Sequence, residues 1–116
     1  MNNDIVIIQL DRDRQIKFTH TAQKTLCAIT GKTIEEIDQG IDLSDFEQLE
    51  LLVYCGLLYD AGKHGEALTR EQIPALLDEA PSQAHVWEKV VSAWRMAFGA
   101  PVQTEGNSTI PAGEPG

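Results

Sequence analysis

Residues 43–62, LSDFEQLELLVYCGLLYDAG, form the longest stretch of helical periodicity in the chain. Ser44 followed by Glu47 predicts a capping box at a helix start, and Asp45 and Glu47 suit the positive end of the helix dipole. Leu49, Leu52, Val53 and Gly56 then make one apolar stripe, and Leu51, Tyr54, Cys55 and Leu58 make a second. A helix apolar on two sides is either the hub of a domain or part of an interface. A domain of about five helices needs one such hub, so this segment is expected at the centre.

Upstream, "NDIVIIQL" (residues 3–10) is rich in β-branched residues and predicts a strand. "DRDR" (11–14) reads as a polar turn, and "QIKF" (15–18) alternates, with Ile16 and Phe18 on one face and Lys17 on the other. Together they predict a β-hairpin, which is marginal alone and needs cover from helices or another subunit. "THTAQKTLCAITG" (19–31) predicts a helix capped by Thr19 or Thr21, with Ala22, Leu26 and Ile29 as its stripe and Gly31 as a left-handed stop. Thr33 and Glu36 form a capping box for a short helix ending at Gly40.

Downstream, Thr69 and Gln72 make another box, while Pro74 predicts a late start or a bend. Ile73, Leu76 and Leu77 supply that helix's apolar face. Ser82 can cap a last helix whose stripe is Trp87, Val90, Val91, Trp94 and Phe98, with Gly99 as its stop. The expected fold is therefore mainly α (α+β): an N-terminal β-hairpin followed by about five helices in a small bundle. It forms a single domain over residues 1–99. Residues 100–116, mostly Pro, Gly, Ser, Thr and Glu, read as a disordered tail.

The 116 residues carry a formal net charge of −9. Such a balance argues against binding nucleic acid through its phosphates, which requires a surplus of Lys and Arg. No apolar run reaches the roughly 20 residues needed to span a bilayer, and "IVII" lacks the basic residues that precede a signal peptide's apolar region. A cytosolic location without membrane attachment is expected. Between Lys32 and Lys63 lie eight acids and no Lys or Arg: Glu35, Glu36, Asp38, Asp42, Asp45, Glu47, Glu50 and Asp60. They make either a solvated helix surface or a docking face for a basic partner.

Residues 29–33 read ITGKT, and Gly31-Lys32-Thr33 matches the end of a phosphate-binding loop. The full pattern needs a glycine at position 26, where Leu26 stands, and a strand before the loop, where a helix is predicted. A helix stop at Gly31 and a helix start at Thr33 explain the letters better. Cys55 and His64 could pair as nucleophile and base, but Cys55 sits mid-helix among apolar residues, where an inert buried thiol is expected. His20, His64 and His85 show no ligand spacing, and Cys27 and Cys55 are in no metal-type pair. Ser44 opens a helix as the phosphopantetheine serine of acyl carrier proteins does, but "LSD" reverses the required order. No enzyme, cofactor or metal is expected.

The order of features resembles the tail assembly chaperones of long-tailed bacteriophages and related prophages. Members of that family begin with a hairpin whose second strand is similar to "IKF". A helix running into a glycine and a basic residue follows, as in "LCAITGKTIEEI", then an acidic L-S-x-x-x-x-L helix, as in "LSDFEQLELLVYCGLLYD". "LTREQIPALLDE" resembles the helix after it. The likeness covers roughly residues 14–98. It implies a protein that binds the tape measure protein, keeps it soluble and recruits tail tube subunits. It also implies action in the host bacterial cytoplasm, absence from the mature virion, possible homo-oligomers and, in many members, a frameshifted longer product joined through the tail. Tyr54, Leu58, Trp87 and Trp94 are the apolar residues expected to meet a partner. Two other readings remain open: a virion neck or head–tail adaptor, or another small acidic interaction module; and, more remotely, a nucleotide-binding enzyme using Gly31-Lys32-Thr33.

Overall fold

The structure is a computed structural model and describes residues 5–98. The predicted tail and the predicted stop at Gly99 lie outside the described residues. A two-stranded antiparallel hairpin, β1 (Val6–Gln9) and β2 (Asp13–Ile16), precedes five helices. These are α1 (His20–Thr30), α2 (Ile34–Gln39), α3 (Phe46–Lys63), α4 (Ile73–Asp78) and α5 (Gln83–Phe98). A 3-10 turn, Arg70–Gln72, leads into α4. The architecture is the expected one, mainly α with an N-terminal hairpin.

Most local stops and starts follow the predicted caps. The Thr19 hydroxyl accepts from the Ala22 amide, and Gly31 closes α1 in the left-handed region (φ 72°) with its N–H bonded to the Cys27 carbonyl. Thr33 and Glu36 form both halves of the capping box of α2. The Gln72 side chain accepts from the Thr69 amide at 2.7 Å, and Pro74 sits in the first turn of a late-starting α4, where its missing N–H costs nothing. Ser82 Oγ accepts from the His85 amide at the start of α5.

The start of α3 differs from the expectation. Asp45 is its cap, accepting from the amides of Glu47 and Gln48. The Ser44 hydroxyl instead donates to Asp42 at 2.6 Å, because the preceding turn offers it a closer carboxylate.

The hairpin register pairs Val6 with Ile16, Ile7 with Gln15, Ile8 with Arg14 and Gln9 with Asp13. The second strand thus begins two residues before "QIKF", and the expected polar turn over 11–14 shrinks to the residues around Asp11 and Arg12. Alternation then puts Val6, Ile8, Leu10, Arg14, Ile16 and Phe18 on the inner face and leaves Ile5 and Ile7 outside. Strand edges left unpaired invite other chains, and here each is met by a helix. On β2 the Gln15 amide donates to the Asp60 carboxylate (3.1 Å), and just past the strand the Lys17 amide donates to the Gly56 carbonyl (2.8 Å). On β1 the Gln9 amide donates to His85 Nε2 (3.0 Å).

Helix α3 is the hub, packing against β2, α1, α4 and α5. Its stripe Leu49, Leu52, Val53 is buried with Cys55 and Leu57 in one core that also holds Ile8, Ile16, Leu26, Ile73 and Val90. At Gly56 the strand comes so close that an added Cβ would stand 2.7 Å from Ile16 Cγ1. The buried face of α5 is Val86, Val90, Ala93 and Trp94. This corrects the predicted stripe: Val86 and Ala93 face inward, whereas Trp87 and Phe98 stay partly exposed at its edges.

Candidate functional site

The GKT corner is filled by its own chain. Leu26 is buried inside α1, and a helix rather than a strand precedes Gly31. The Thr33 hydroxyl accepts from the Glu36 amide (3.1 Å), and the Thr33 amide donates to the Glu36 carboxylate (2.9 Å). The opening of α2 already carries a carboxylate where a phosphate-binding loop would present free amides.

The Cys55 thiol is fully buried, and burial pushes its pKa up to about 11, away from the range of a nucleophile. His64 is exposed, and its Nδ1 lies 2.8 Å from the Asp60 carbonyl and 3.6 Å from the Asp60 carboxylate. Among the described residues no three His, Cys, Asp or Glu side chains are grouped to hold a metal ion.

The densest charge cluster ties the hairpin turn to the end of α3. Arg12 donates to Asp60 (2.7 Å) and Glu66 (2.8 Å); Arg14 donates to Asp11 (2.8 Å) and Glu66 (2.9 Å) and stands 3.8 Å from Asp60. Arg14 and Asp60 are both buried. Burial opposes ionisation of Asp60, but the Gln15 amide and the Arg12 guanidinium outweigh it and hold its carboxyl below the usual range. Hydrogen bonds from Arg14 to Asp11 and from Arg12 to Glu66 lower those carboxyls as well. Every charge here has a partner inside the chain, so the cluster is a staple. Sequence reasoning missed it because "DRDR" resembles a solvated turn.

The four residues expected to meet a partner fall into three environments. Trp94 is in the core, 2% exposed, with its indole N–H donating to Asp38 (2.6 Å) and its ring edge-on to Phe18 at 5.0 Å. It therefore offers no surface, and its place among the contact residues is corrected. Trp87 is 39% exposed on the flank of α5. Tyr54 and Leu58 are half-buried on α3 and, with Leu51, form its outward stripe at i, i+3 and i+7.

That stripe leads into a groove between the first half of α3 and α4. One stretch, about 360 Å³, is lined by Glu47, Glu50, Leu51, Arg70, Glu71 and Pro74. The next, about 180 Å³, shares Glu50 and Pro74 and adds Phe46, Leu49, Leu77, Asp78 and Gln83. Phe46, 65% exposed, stands at its end. Its spacing from Leu49 and Val53 matches the core stripe, and only its place in the first turn, past the end of the core, leaves it outside. Another open cleft, between β2, α1 and α5, includes Lys17, Phe18, His20, Gln23 and Met96; the Lys17 ammonium itself lies over the Tyr59 ring at 4.8 Å. Neither concavity pairs a nucleophile with a base. Among the described residues no helix is long and apolar enough to cross a membrane.

No known protein family, curated protein or solved structure matches the chain.

Proposed function

We propose that the protein acts by holding a helical segment of another protein, as a tail assembly chaperone does for the tape measure protein. The observation that carries this reading is the outward stripe of α3. A hub helix already buried on one side leaves Leu51, Tyr54 and Leu58 only half-buried on the other, beside an open groove ending at Phe46. Apolar residues at helical spacing next to a groove suit an amphipathic helix laid across them. The order of hairpin, glycine corner and acidic central helix supports the chaperone assignment, and the net charge of −9 would keep a complex with an aggregation-prone helix in solution. On this reading the protein works in the host bacterial cytoplasm, recruits tail tube subunits to the tape measure protein and leaves before the particle is finished.

Co-expression with a tape measure protein tests the proposal. Soluble yield of that partner should rise, the two should co-purify, and Leu51→Asp with Leu58→Asp, its folding checked by circular dichroism, should abolish both effects. Unchanged yield and no complex would sink it. Recovery of the protein in finished particles would favour a neck adaptor instead.

A further inference from the structure

The groove has a chemistry more specific than its apolar floor. Its α3 wall carries Glu47 and Glu50, and the opposite wall carries Glu71 in the 3-10 turn and Asp78 at the end of α4, bracketing Pro74 and Leu77. The ion pairs of the described residues join Arg12, Arg14 and His64 to Asp11, Asp60 and Glu66 and use none of these four carboxylates. Arg70 is the single basic residue on the lining. The acids of the staple are neutralised from within; those of the groove are not.

Resting on the partner-holding reading above, we infer that this groove selects a basic amphipathic helix, with apolar residues on one stripe and Lys or Arg on both sides of it. The apolar stripe lies on Leu51, Leu77 and Phe46, and the cationic flanks meet Glu47 and Glu50 on one wall and Glu71 and Asp78 on the other. Lys and Arg suit such a rim twice over. Their stems cover apolar surface while their charged ends reach the carboxylates, and opposite charge speeds encounter and sets partner choice. A second copy of this chain fits poorly, because two such grooves facing one another would bring like charges together, and nucleic acid is repelled for the same reason.

The test uses the full chain and three dye-labelled helical peptides of about 18 residues, long enough to lie along the groove. All share one leucine stripe at i, i+4 and i+7; the flanking positions are Lys, Gln or Glu. Fluorescence anisotropy should show the Lys peptide binding about tenfold or more tighter than the Gln peptide, with the advantage shrinking as salt rises. In Glu47→Lys/Glu50→Lys/Glu71→Lys the preference should invert toward the Glu peptide. The milder Glu50→Gln/Glu71→Gln should lose about half of the Lys advantage on a logarithmic scale, since it removes half of the rim charges, and it serves if the triple variant does not fold by circular dichroism. Equal binding of all three peptides, insensitive to salt, overturns the charge selection and leaves helix holding in place. Binding of none overturns both. Self-association that Leu51→Asp abolishes, with no peptide taken up, assigns the face to a second copy and also overturns the inference.

Discussion

Gly56→Ala gives the sharpest test of how the hairpin meets the hub. In an ordinary helix interior alanine is better than glycine by about 1 kcal/mol. Here the new Cβ would lie 2.7 Å from Ile16 Cγ1, 3.1 Å from Ile16 Cδ1 and 3.3 Å from Phe18 Cζ. Ile16 is 1% exposed, and Cγ1 is anchored one bond from the strand's Cβ, so it cannot swing away as a long side chain's end would. Overpacking of this kind costs about 1–3 kcal/mol. If β2 retreats instead, the 2.8 Å bond from the Lys17 amide to the Gly56 carbonyl lengthens and gives up about 1 kcal/mol. Set against the propensity gain, overpacking leaves a net loss of about 1 kcal/mol, a fall in Tm of about 5 °C for a domain of this size. Gly62→Ala is the control, because it lies in the same helix with nothing within 4 Å of its added Cβ. It should raise stability by about 0.5 kcal/mol. Thermal melts by circular dichroism measure both. A Gly56→Ala protein as stable as the parent, or two glycine variants shifting together, would refute the close approach of β2 to α3.

Asp60→Asn should cost about 2–3 kcal/mol by chemical denaturation, since it strips a buried carboxylate from Arg12 and Arg14 while Asp11 and Glu66 remain to hold them. Asp60, Asp11 and Glu66 all have folded pKa values below their ordinary ones of 3.8, 3.8 and 4.5. Their stabilisation is therefore complete above that range and is lost as pH falls through and below it. The parent's Tm should drop across that window, and the Asp60→Asn curve should be flatter; parallel curves would count against the staple. Trp94→Phe should lose about 2–3 kcal/mol through its bond to Asp38 and the space left behind, while Trp87→Phe should stay within about 0.5 kcal/mol. Acrylamide should quench the emission of the Trp94→Phe protein more strongly than that of the Trp87→Phe protein. Lys32→Ala should change stability by no more than about 0.5 kcal/mol, and the parent should show no saturable ATP or GTP binding; a loss above about 1 kcal/mol would mean the corner is more than punctuation.

Local chemistry was legible in the sequence wherever it is decided within a few residues. Thr19, Gly31, the Thr33–Glu36 box, Pro74 and Ser82 each do in the structure what their neighbours imply. Ser44 was the expected cap of α3, but Asp42 engages the serine and Asp45 takes the role. Helix faces were harder to read. On α5 the predicted and observed faces share Val90 and Trp94 and are turned by less than one residue's rotation of about 100°, so pattern alone cannot say whether Val86 or Trp87 faces the core. The buried Arg14 was invisible for a different reason. Its burial rests on Asp60 and Glu66, about fifty positions downstream, and no local rule brings a polar turn to the end of a helix. The groove likewise needs α3 and α4 side by side before Glu47 and Glu50 can face Glu71 and Asp78.

These long-range contacts also explain why the outward face of α3 can serve as a platform. The helix is fixed along its inner side by the Gly56 contact with β2, by the Arg12 and Arg14 bonds near its end, and by Asp45 at its start. A partner laid on Leu51, Tyr54 and Leu58 would meet a surface already ordered. Less conformational freedom is then lost on binding, and more of the contact energy appears as affinity. The rim adds selection to this. Glu47, Glu50, Glu71 and Asp78 would each gain an opposite charge from a cationic helix laid between them, a gain that a neutral or acidic helix would not bring. Occupancy of the groove would then be coupled to stability of the fold, because any ligand favouring the native state stabilises it. An apolar groove with a neutral rim would hold helices indiscriminately.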